Sequence, residues 1–269
     1  MSDTANTTAT ANTDKTTDKT TKKTRVIIGL PGKTFSQTFL LTWSQSLYSL
    51  WACGQYDIVI SPSNNSFSLS DRMHTLGLDV RRGKNQKPFD NGQYDVFVSI
   101  DSDIVFSTNQ LVELIECTKT HPVVSGYYKM PNNKQYSVIK EWNKQFFAEN
   151  GTFPFLELTD LDKYTTAFAK ELEEYNKLDV KDRGALSTPE FMKVSYTGMG
   201  FFACRKEVLD NLQYPYFYGE MQRYRAKDGT ELVNMCNEEV AFCKNLEEAG
   251  YDIMLNTRLL VGHEQRVIL

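Results

Sequence analysis

Short apolar runs alternate with polar turns along most of the chain. The first run, Val26 to Leu30, is closed by Pro31 and Gly32 and predicts a buried strand that leads into a loop. Residues 36–51 carry apolar side chains at helical spacing, and residues 56–60 predict a second strand. The expected helical face consists of Phe39, Leu40, Trp43, Leu47 and Leu50. The folded part of the chain thus opens with a strand, a helix and a strand.

The clearest strand covers residues 94–100, an apolar run that ends directly in Asp101. The later helices are expected near 109–118, within 165–178 and over 238–249, and the later strands near 122–128, 196–204 and 251–255. Helices that alternate with strands predict an α/β fold whose sheet is mostly parallel. In such sheets ligands bind in the loops beyond the carboxyl ends of the strands.

Residues 1–24 differ in composition from the rest of the chain. They are built mainly from Thr, Lys, Asp, Asn and Ala, and they contain Asp-Lys-Thr-Thr twice. Such a segment cannot offset its ordering entropy by burying apolar surface. With 269 residues, 41% of them hydrophobic, the chain can bury one sizeable core. We therefore predict a disordered tail at 1–24 and a single domain over 25–269.

The composition narrows the partners and the compartment. A formal net charge of -4 predicts no broad basic surface for nucleic acid or anionic membrane. No apolar run approaches the roughly 20 residues that cross a bilayer, and no signal-peptide segment is visible, so we expect a soluble, cytoplasmic protein. The five cysteines are odd in number and widely spaced, which favours reduced thiols over a disulfide or thiolate-metal framework.

Asp101, Ser102 and Asp103 form the first candidate site. Two carboxylates at the mouth of a buried strand are costly to desolvate unless a cation or hydrogen-bond donors compensate them. Oxygen ligands suit Mg²⁺ or Mn²⁺, which keep open positions for diphosphate oxygens and neutralise charge on a leaving nucleoside diphosphate. The Asp-x-Asp (DXD) tripeptide is common, and its position directly after a buried strand favours a functional role.

Glu238 and Glu239 open the late predicted helix, with Asn237 as its expected cap. Acidic residues are ordinary at helix starts, so catalysis by this pair and a purely structural role both stay open. His263 follows Gly262 near the end of the chain. It is a candidate metal ligand, with an ordinary surface or core histidine as the alternative.

Three weaker features accompany these residues. Basic side chains before the Asp strand are candidates for phosphate or nucleotide contacts, namely Arg72, Arg81, Arg82, Lys84 and Lys87. The aromatic residues of 214–218 would either offer a platform to a sugar ring or pack in the core. The two glycines within 196–203 either admit a ligand close to the backbone or mark a tightly packed strand.

In their order along the chain these segments resemble the A-type glycosyltransferase fold, particularly family 2-like enzymes, including forms found in large DNA viruses and phages. The resemblance spans about 25–264 and is carried by residues 28–31, 82–89, 100–106, 124–128, 198–201, 238–242 and 262–263. It implies a single domain with a Rossmann-like mixed central sheet flanked by helices. It also implies a hexosyl- or deoxyhexosyltransferase of glycan biosynthesis, located in the host cytoplasm if the protein is viral.

The resemblance assigns a role to each candidate residue. Pro31, Ser61 and Arg72 would contact the nucleotide of a UDP- or GDP-sugar donor. Asp101 and Ser102 would face its ribose and diphosphate, and Mn²⁺ or Mg²⁺ would be held by Asp101, Asp103 and His263. Glu239, beside Glu238, stands where the family has an aspartate base, and it would deprotonate the hydroxyl of a glycan or glycoprotein acceptor in an inverting transfer.

Two alternatives to a transferase stay open. A sugar nucleotidyltransferase also combines this kind of sheet with carboxylate-bound metal, but it needs a Gly-rich, basic loop after the first strand, and residues 29–33 are a poor version of one. An inactive carbohydrate-binding protein would keep the same fold without turnover. Metal-dependent hydrolysis of one nucleotide sugar would distinguish an enzyme from a binding protein.

Overall fold

The computed structural model describes residues 22–64, 68–179, 182, 184 and 190–264. Of the predicted tail, residues 1–21 lie outside this description. Thr24 already belongs to the first strand, so regular structure begins two residues before the apolar run that predicted it.

Strands and helices alternate through most of the described residues. The strands are β1 (Thr24–Pro31), β2 (Tyr56–Ser63), β3 (Val96–Ile100), β4 (Ile104–Val105), β5 (Val123–Tyr127), β6 (Gln135–Ile139), β7 (Phe155–Glu157), β8 (Phe191–Val194), β9 (Tyr196–Thr197), β10 (Phe201–Arg205), β11 (Glu220–Arg225), β12 (Glu231–Cys236), β13 (Ile253–Leu260) and β14 (Gly262–His263). The helices are α1 (Gln37–Ala52), α2 (Ser68–Thr75), α3 (Thr108–Cys117), α4 (Lys144–Asn150), α5 (Leu158–Lys177), α6 (Lys206–Asn211) and α7 (Glu238–Glu248), with short 3₁₀ turns at Val80–Arg82 and Pro88–Asn91.

A mixed sheet of seven strands forms the centre of the fold, in the order β2-β1-β3-β10-β5-β13-β8. β1 runs parallel to β2 and β3, and β13 runs parallel to β5. β10 is antiparallel to both of its neighbours, and β8 is antiparallel to β13. The predicted α/β fold with a mixed central sheet flanked by helices is therefore confirmed. The expectation that the sheet is mostly parallel is wrong, because three of its six neighbouring strand pairs are antiparallel. Smaller sheets pair β6 with β7 and β9, β11 with β12, and β4 with β14.

The sheet separates two apolar layers, because successive side chains of a strand point to opposite faces. In β1, Val26 and Ile28 pack with residues of α1 and α3, whereas Ile27 packs with residues of α2, α6 and α7. Helices thus cover both faces, and the carboxyl ends of β1, β2 and β3 meet at one edge of the sheet.

Side-chain caps fix where several helices begin. The Ser36 hydroxyl accepts from the backbone N–H of Phe39 at the start of α1, and the Asn237 side chain accepts from Val240 at the start of α7. Both starts agree with the sequence-based expectation. One residue of the predicted α1 face differs. The buried face of α1 contains Phe39, Leu47 and Leu50, whereas Leu40 lies off this face and is 52% exposed.

Candidate functional site

The loop after β3 lies against the loop after β1. Pro31, the last residue of β1, pairs with Ser63 of β2, and the next residue, Gly32, has φ +137°. A Cβ at Gly32 would lie 2.5 Å from the Ser102 hydroxyl, so only glycine fits this approach without displacement. Ser61 lies within β2 opposite Gly29, two residues before the end of the strand. The structure therefore brings Pro31 and Ser102 to the same edge of the sheet.

Arg72, on α2, bridges two acidic residues. Its Nη1 and Nη2 donate to the two carboxylate oxygens of Asp101 at 3.1 and 3.0 Å, and Nη2 also donates to Glu239 Oε1 at 2.6 Å. The Arg72 side chain is only 7% exposed, against 23% for Asp101 and 15% for Glu239. Paired Arg–carboxylate bonds of this kind hold planar groups in a fixed orientation. The three side chains form a buried ionic cluster at the mouth of β3.

Burial and the opposite charges within this cluster act against each other at all three side chains. It works to lower the pKa of Arg72, but the Asp101 and Glu239 carboxylates outweigh it and raise that pKa, so the guanidinium stays charged. Burial raises the pKa of Asp101, and the Arg72 charge works against that rise. Burial likewise raises the pKa of Glu239 to about 7, although Arg72 opposes the change. A carboxyl that titrates near neutrality can exchange a proton with a substrate.

The second oxygen of Glu239 faces different partners. Tyr196, on β9, donates its hydroxyl to Glu239 Oε2 at 3.0 Å, and the Asn237 side-chain amide donates to the same oxygen at 3.3 Å. Glu238 lies beside Glu239 in the first turn of α7 and is partly buried. Glu239 thus connects the Arg72–Asp101 side of the site through one oxygen with the Tyr196 side through the other.

Asp103 and His263 form a separate pair. β4 and β14 pair antiparallel, with His263 opposite Ile104, and this register places His263 Nε2 3.2 Å from Asp103 Oδ2. Its other ring nitrogen lies 3.3 Å from the Lys129 carbonyl oxygen. The hydrogen bond with Asp103 raises the pKa of His263. The Asp103 side chain is 50% exposed, so this pair is open to a ligand.

The Asp103 carboxylate and His263 Nε2 suit a divalent cation held by two protein ligands. Within the described residues no three or more His, Cys, Asp or Glu side chains come together as a metal cluster. Both Asp101 oxygens accept from Arg72, which leaves the Asp103 oxygens and His263 Nε2 facing each other. Mg²⁺ and Mn²⁺ are commonly held by one or two protein groups together with substrate phosphates. The residues therefore fit such an ion, and Asp101 as a third ligand stays a prediction.

Most of the weaker candidates lie elsewhere. Arg81 pairs with Asp79, Arg82 pairs with Asp90, and Lys87 donates to backbone carbonyls before and after the end of α6. Lys84 is exposed. Of the five basic residues, only Arg72 enters the site. The sugar-platform prediction is wrong for Tyr216 and Phe217, which are 0% and 3% exposed, because Phe217 stacks on Phe242 inside the core.

The glycines of 196–203 serve packing. A Cβ at Gly198 or Gly200 would collide with the ring or hydroxyl of Tyr128, and that hydroxyl donates to the Gly198 carbonyl oxygen at 2.8 Å. The Gly200 carbonyl oxygen accepts from the backbone N–H of Asp101 at 3.0 Å. These glycines therefore hold the start of the Asp-x-Asp loop rather than open space for a ligand. Gly29 is likewise inside β1, which ends at Pro31, so only Gly32 and Lys33 of the run 29–33 lie outside the strand.

Sequence reasoning missed two contributors, Tyr196 and the bridging role of Arg72. Tyr196 is a buried tyrosine at the entry to a glycine-rich run. A buried tyrosine needs a partner for its hydroxyl, which is the one signal that the sequence offers. The identity of that partner, 43 positions away, carries no local signature.

No protein-family model and no curated protein sequence matches this chain. None of the described helices combines the length and the apolar character that a membrane-spanning helix requires. All five cysteines are free, and three of them are buried.

Several solved structures are similar to this chain. Protein A197 from STIV has 16% identity and a TM-score of 0.44, with 91% of this chain and 87% of that chain covered. GalNAc-T7, whose structure contains UDP, GalNAc and Mn²⁺, has 10% identity and a TM-score of 0.43, with 93% and 45% covered. Glucosyl-3-phosphoglycerate synthase from Mycobacterium tuberculosis, crystallised with Mn²⁺, uridine diphosphate and phosphoglyceric acid, has 12% identity and a TM-score of 0.39, with 91% and 72% covered.

The similar structures include A-type glycosyltransferases. With TM-scores of 0.39 to 0.44 and identities of 10% to 16%, they establish neither the family nor the activity of this chain.

Proposed function

We propose that this chain is a metal-dependent glycosyltransferase that moves a sugar from a nucleotide-diphospho-sugar to an acceptor hydroxyl with inversion of configuration. One observation carries the proposal: Arg72 ties Glu239 to Asp101 at the carboxyl end of β3. That contact sets a carboxyl with a pKa of about 7 beside the loop that would hold a diphosphate. A proton acceptor next to a leaving-group site is what direct transfer to a hydroxyl requires.

In the proposed reaction, the acceptor oxygen attacks the anomeric carbon as its proton passes to a carboxylate oxygen of Glu239. The bond from that carbon to the diphosphate oxygen breaks, and the electron pair leaves with the nucleoside diphosphate. A single displacement inverts the anomeric carbon. Arg72 keeps the Glu239 carboxylate in place through Oε1 while Oε2 stays on the acceptor side.

Asp103 and His263 would hold Mn²⁺ or Mg²⁺, with Asp101 as a third ligand. The ion would offset the negative charge that grows on the departing diphosphate. Ser102, held against Gly32, would face the diphosphate, and Pro31 and Ser61 would line the nucleotide of a UDP- or GDP-sugar. Arg72 is already engaged by two carboxylates, so in this proposal it orients Glu239 and Asp101 instead of contacting the nucleotide.

The transferred group would be a hexose or deoxyhexose, and the acceptor a hydroxyl of a glycan or glycoprotein. The five free cysteines suit a reducing compartment, and we place the reaction in the cytoplasm on that ground. The nucleotidyltransferase alternative gains no support, because β1 extends to Pro31 and leaves only Gly32 and Lys33 of the run 29–33 for a loop.

Product analysis tests this proposal. The protein is incubated with a nucleotide sugar, Mn²⁺ and an acceptor alcohol, and the anomeric configuration of the product is read by NMR. We expect a product of inverted configuration from the natural protein and almost none from Glu239→Gln. Full transfer by Glu239→Gln would contradict the assignment of the base, and retention of configuration would contradict the single displacement.

A further inference from the structure

A cleft of about 320 Å³ lies beside the start of α7, with Asn237 and Val240 in its lining. Tyr196 and Asn237 both line this cleft, and both donate to Glu239 Oε2. The other walls come from α4, from the segment leading into β7 and from the β11–β12 hairpin. A molecule bound here would therefore contact the two side chains that donate to the Glu239 oxygen that Arg72 does not occupy.

The lining of this cleft is uncharged. Among the described residues, no Lys, Arg, His, Asp or Glu side chain contributes to it. A second cleft of about 630 Å³ shares Gln222 and Phe153 with it, yet that cleft carries six charged side chains, namely Lys144, Glu220, Arg223, Lys244, Glu247 and Glu248. A phosphate or carboxylate ligand needs a cation to offset its desolvation. This cleft provides none, so it suits a neutral ligand.

The polar side chains of the cleft include the amides of Gln222, Asn234 and Asn237. Gln222 on β11 is paired across the hairpin with Asn234 on β12, and both line the cleft. Gln222 is 4% exposed; its Oε1 accepts from the Tyr224 hydroxyl, while its Nε2 has no hydrogen-bond partner. A buried N–H without an acceptor is costly, so a ligand oxygen that reached it would offset that cost.

Aromatic rings supply the apolar part of the cleft. Phe153, Phe155 and Tyr196 line it, and the rings of Phe155 and Tyr196 stand nearly perpendicular, with centroids 6.1 Å apart. A sugar ring offers C–H groups to such surfaces and hydroxyls to neighbouring amides. Aromatic walls with a few amides and no charge therefore match a neutral pyranoside.

We infer that this cleft binds the acceptor, and that the acceptor is a neutral sugar whose attacking hydroxyl reaches Glu239 Oε2. This inference rests on the proposed transferase function and adds the chemical class of the acceptor. Of the two groups on Oε2, Asn237 makes the longer contact, 3.3 Å against 3.0 Å for Tyr196. The acceptor hydroxyl replaces Asn237 there, and Tyr196 keeps the carboxylate oriented.

Binding experiments with the full chain test the inference without turnover. Saturation-transfer NMR measures a panel of methyl pyranosides, with 3-phosphoglycerate as the charged probe. We expect one or more pyranosides to bind saturably and 3-phosphoglycerate not to bind. Gln222→Leu should weaken the pyranoside by about tenfold, the loss of one hydrogen bond. Asn234→Ala, on an exposed position of β12, should do the same and covers the case in which Gln222→Leu fails to fold.

Gln213→Leu is the matched control, because Gln213 lines a different cleft that includes Asn245 and Glu248 in the second half of α7. It should leave pyranoside binding unchanged. No saturable binding of any pyranoside, stronger binding of 3-phosphoglycerate, or equal weakening by Gln213→Leu would each overturn the inference.

Donor hydrolysis on the same preparations separates this inference from the proposed function. Chelator-sensitive hydrolysis of a nucleotide sugar without pyranoside binding would overturn the acceptor class alone. Pyranoside binding with neither hydrolysis nor binding of any donor would overturn the transferase and, with it, the acceptor role of the cleft. Gln213→Leu, outside the cleft, should keep donor hydrolysis at the natural rate.

Discussion

Arg72 Nη2 lies 2.6 Å from Glu239 Oε1, although the two residues are 167 positions apart in the chain. The same nitrogen donates to Asp101 at 3.0 Å. One buried guanidinium therefore couples the loop after β3 to the first turn of α7. Removing either side of this contact changes both the stability of the fold and the geometry of the proposed reaction.

Arg72→Met should destabilise the protein by about 3–5 kcal/mol, because it leaves two buried carboxylates without their cation. Urea unfolding measures the change. Arg81→Ala is the control: the Arg81 side chain is 86% exposed and pairs with Asp79, two positions away, so the free energy of unfolding should stay close to that of the natural protein. Equal effects of the two variants would show that the buried cluster contributes nothing beyond a surface pair.

The pH dependence of transfer should follow Glu239. Its pKa of about 7 lies above the ordinary value, so the carboxyl is protonated below neutrality and cannot accept the acceptor's proton. Transfer should rise with pH and level off above about 7. Glu239→Gln should lose this limb and about 10²- to 10⁴-fold of the rate.

Glu248→Gln, at the far end of α7, should keep the rate and the pH limb. A rate that stays flat from pH 5 to 9 in the natural protein, at saturating donor, metal and acceptor, would remove Glu239 as the base.

Metal binding should depend on the Asp103–His263 pair. Asp103→Ala and His263→Ala should each weaken Mn²⁺ binding by at least about tenfold, measured by the electron paramagnetic resonance of free Mn²⁺ in the presence of a nucleoside diphosphate. Because hydrogen bonding to Asp103 raises the pKa of His263 and Mn²⁺ needs the neutral imidazole, affinity should increase with pH. His121→Ala, whose ring packs on Phe191, should bind Mn²⁺ normally. An unchanged Mn²⁺ affinity in His263→Ala would contradict His263 as a metal ligand beside Asp103.

Gly32→Ala should weaken donor binding by displacing Ser102. Gly32 has φ +137°, and an added Cβ would lie 2.5 Å from the Ser102 hydroxyl, so strain and crowding act together. Gly54→Ala is the matched control, since Gly54 also has positive φ but open space around it. Gly54→Ala should cost stability without affecting the donor. In a Ser102→Gly background the crowding is absent, so Gly32→Ala should weaken donor binding less than it does in the natural protein. An equal loss in both backgrounds would contradict a steric cause.

Local patterns predict the parts of the site that lie next to one another in the chain. The apolar run before Asp101 predicted β3 and placed the Asp-x-Asp loop at a strand end, and Asn237 predicted the start of α7. Such signals come from periodicity and capping, which span only a few residues. The Arg72–Glu239 contact has no such signal, since it arises only when α2 and α7 pack on the same face of the sheet.

The direction of a strand and the position of a break within it could not be predicted from the periodicity of apolar residues. Residues 196–204 were expected as one strand region, but the structure divides them between β9 and β10 where Tyr128 fills the space beside Gly198 and Gly200. β10 runs antiparallel between β3 and β5, and an alternating pattern looks the same in both directions. β7 has only three residues, and β11 and β12 are largely exposed, so no buried apolar run marks these strands in the sequence.

Donor turnover tests most directly whether this chain is a metal-dependent glycosyltransferase. UDP-, GDP- and other nucleotide sugars are incubated with the full chain and Mn²⁺ or Mg²⁺, and released nucleoside diphosphate is measured with and without chelator, together with donor binding. We expect release of nucleoside diphosphate from one donor, or metal-dependent binding of that donor, and we expect both to be abolished by chelator and by Asp103→Ala. Neither release nor metal-dependent binding for any donor would contradict a glycosyltransferase and favour a binding protein of this fold.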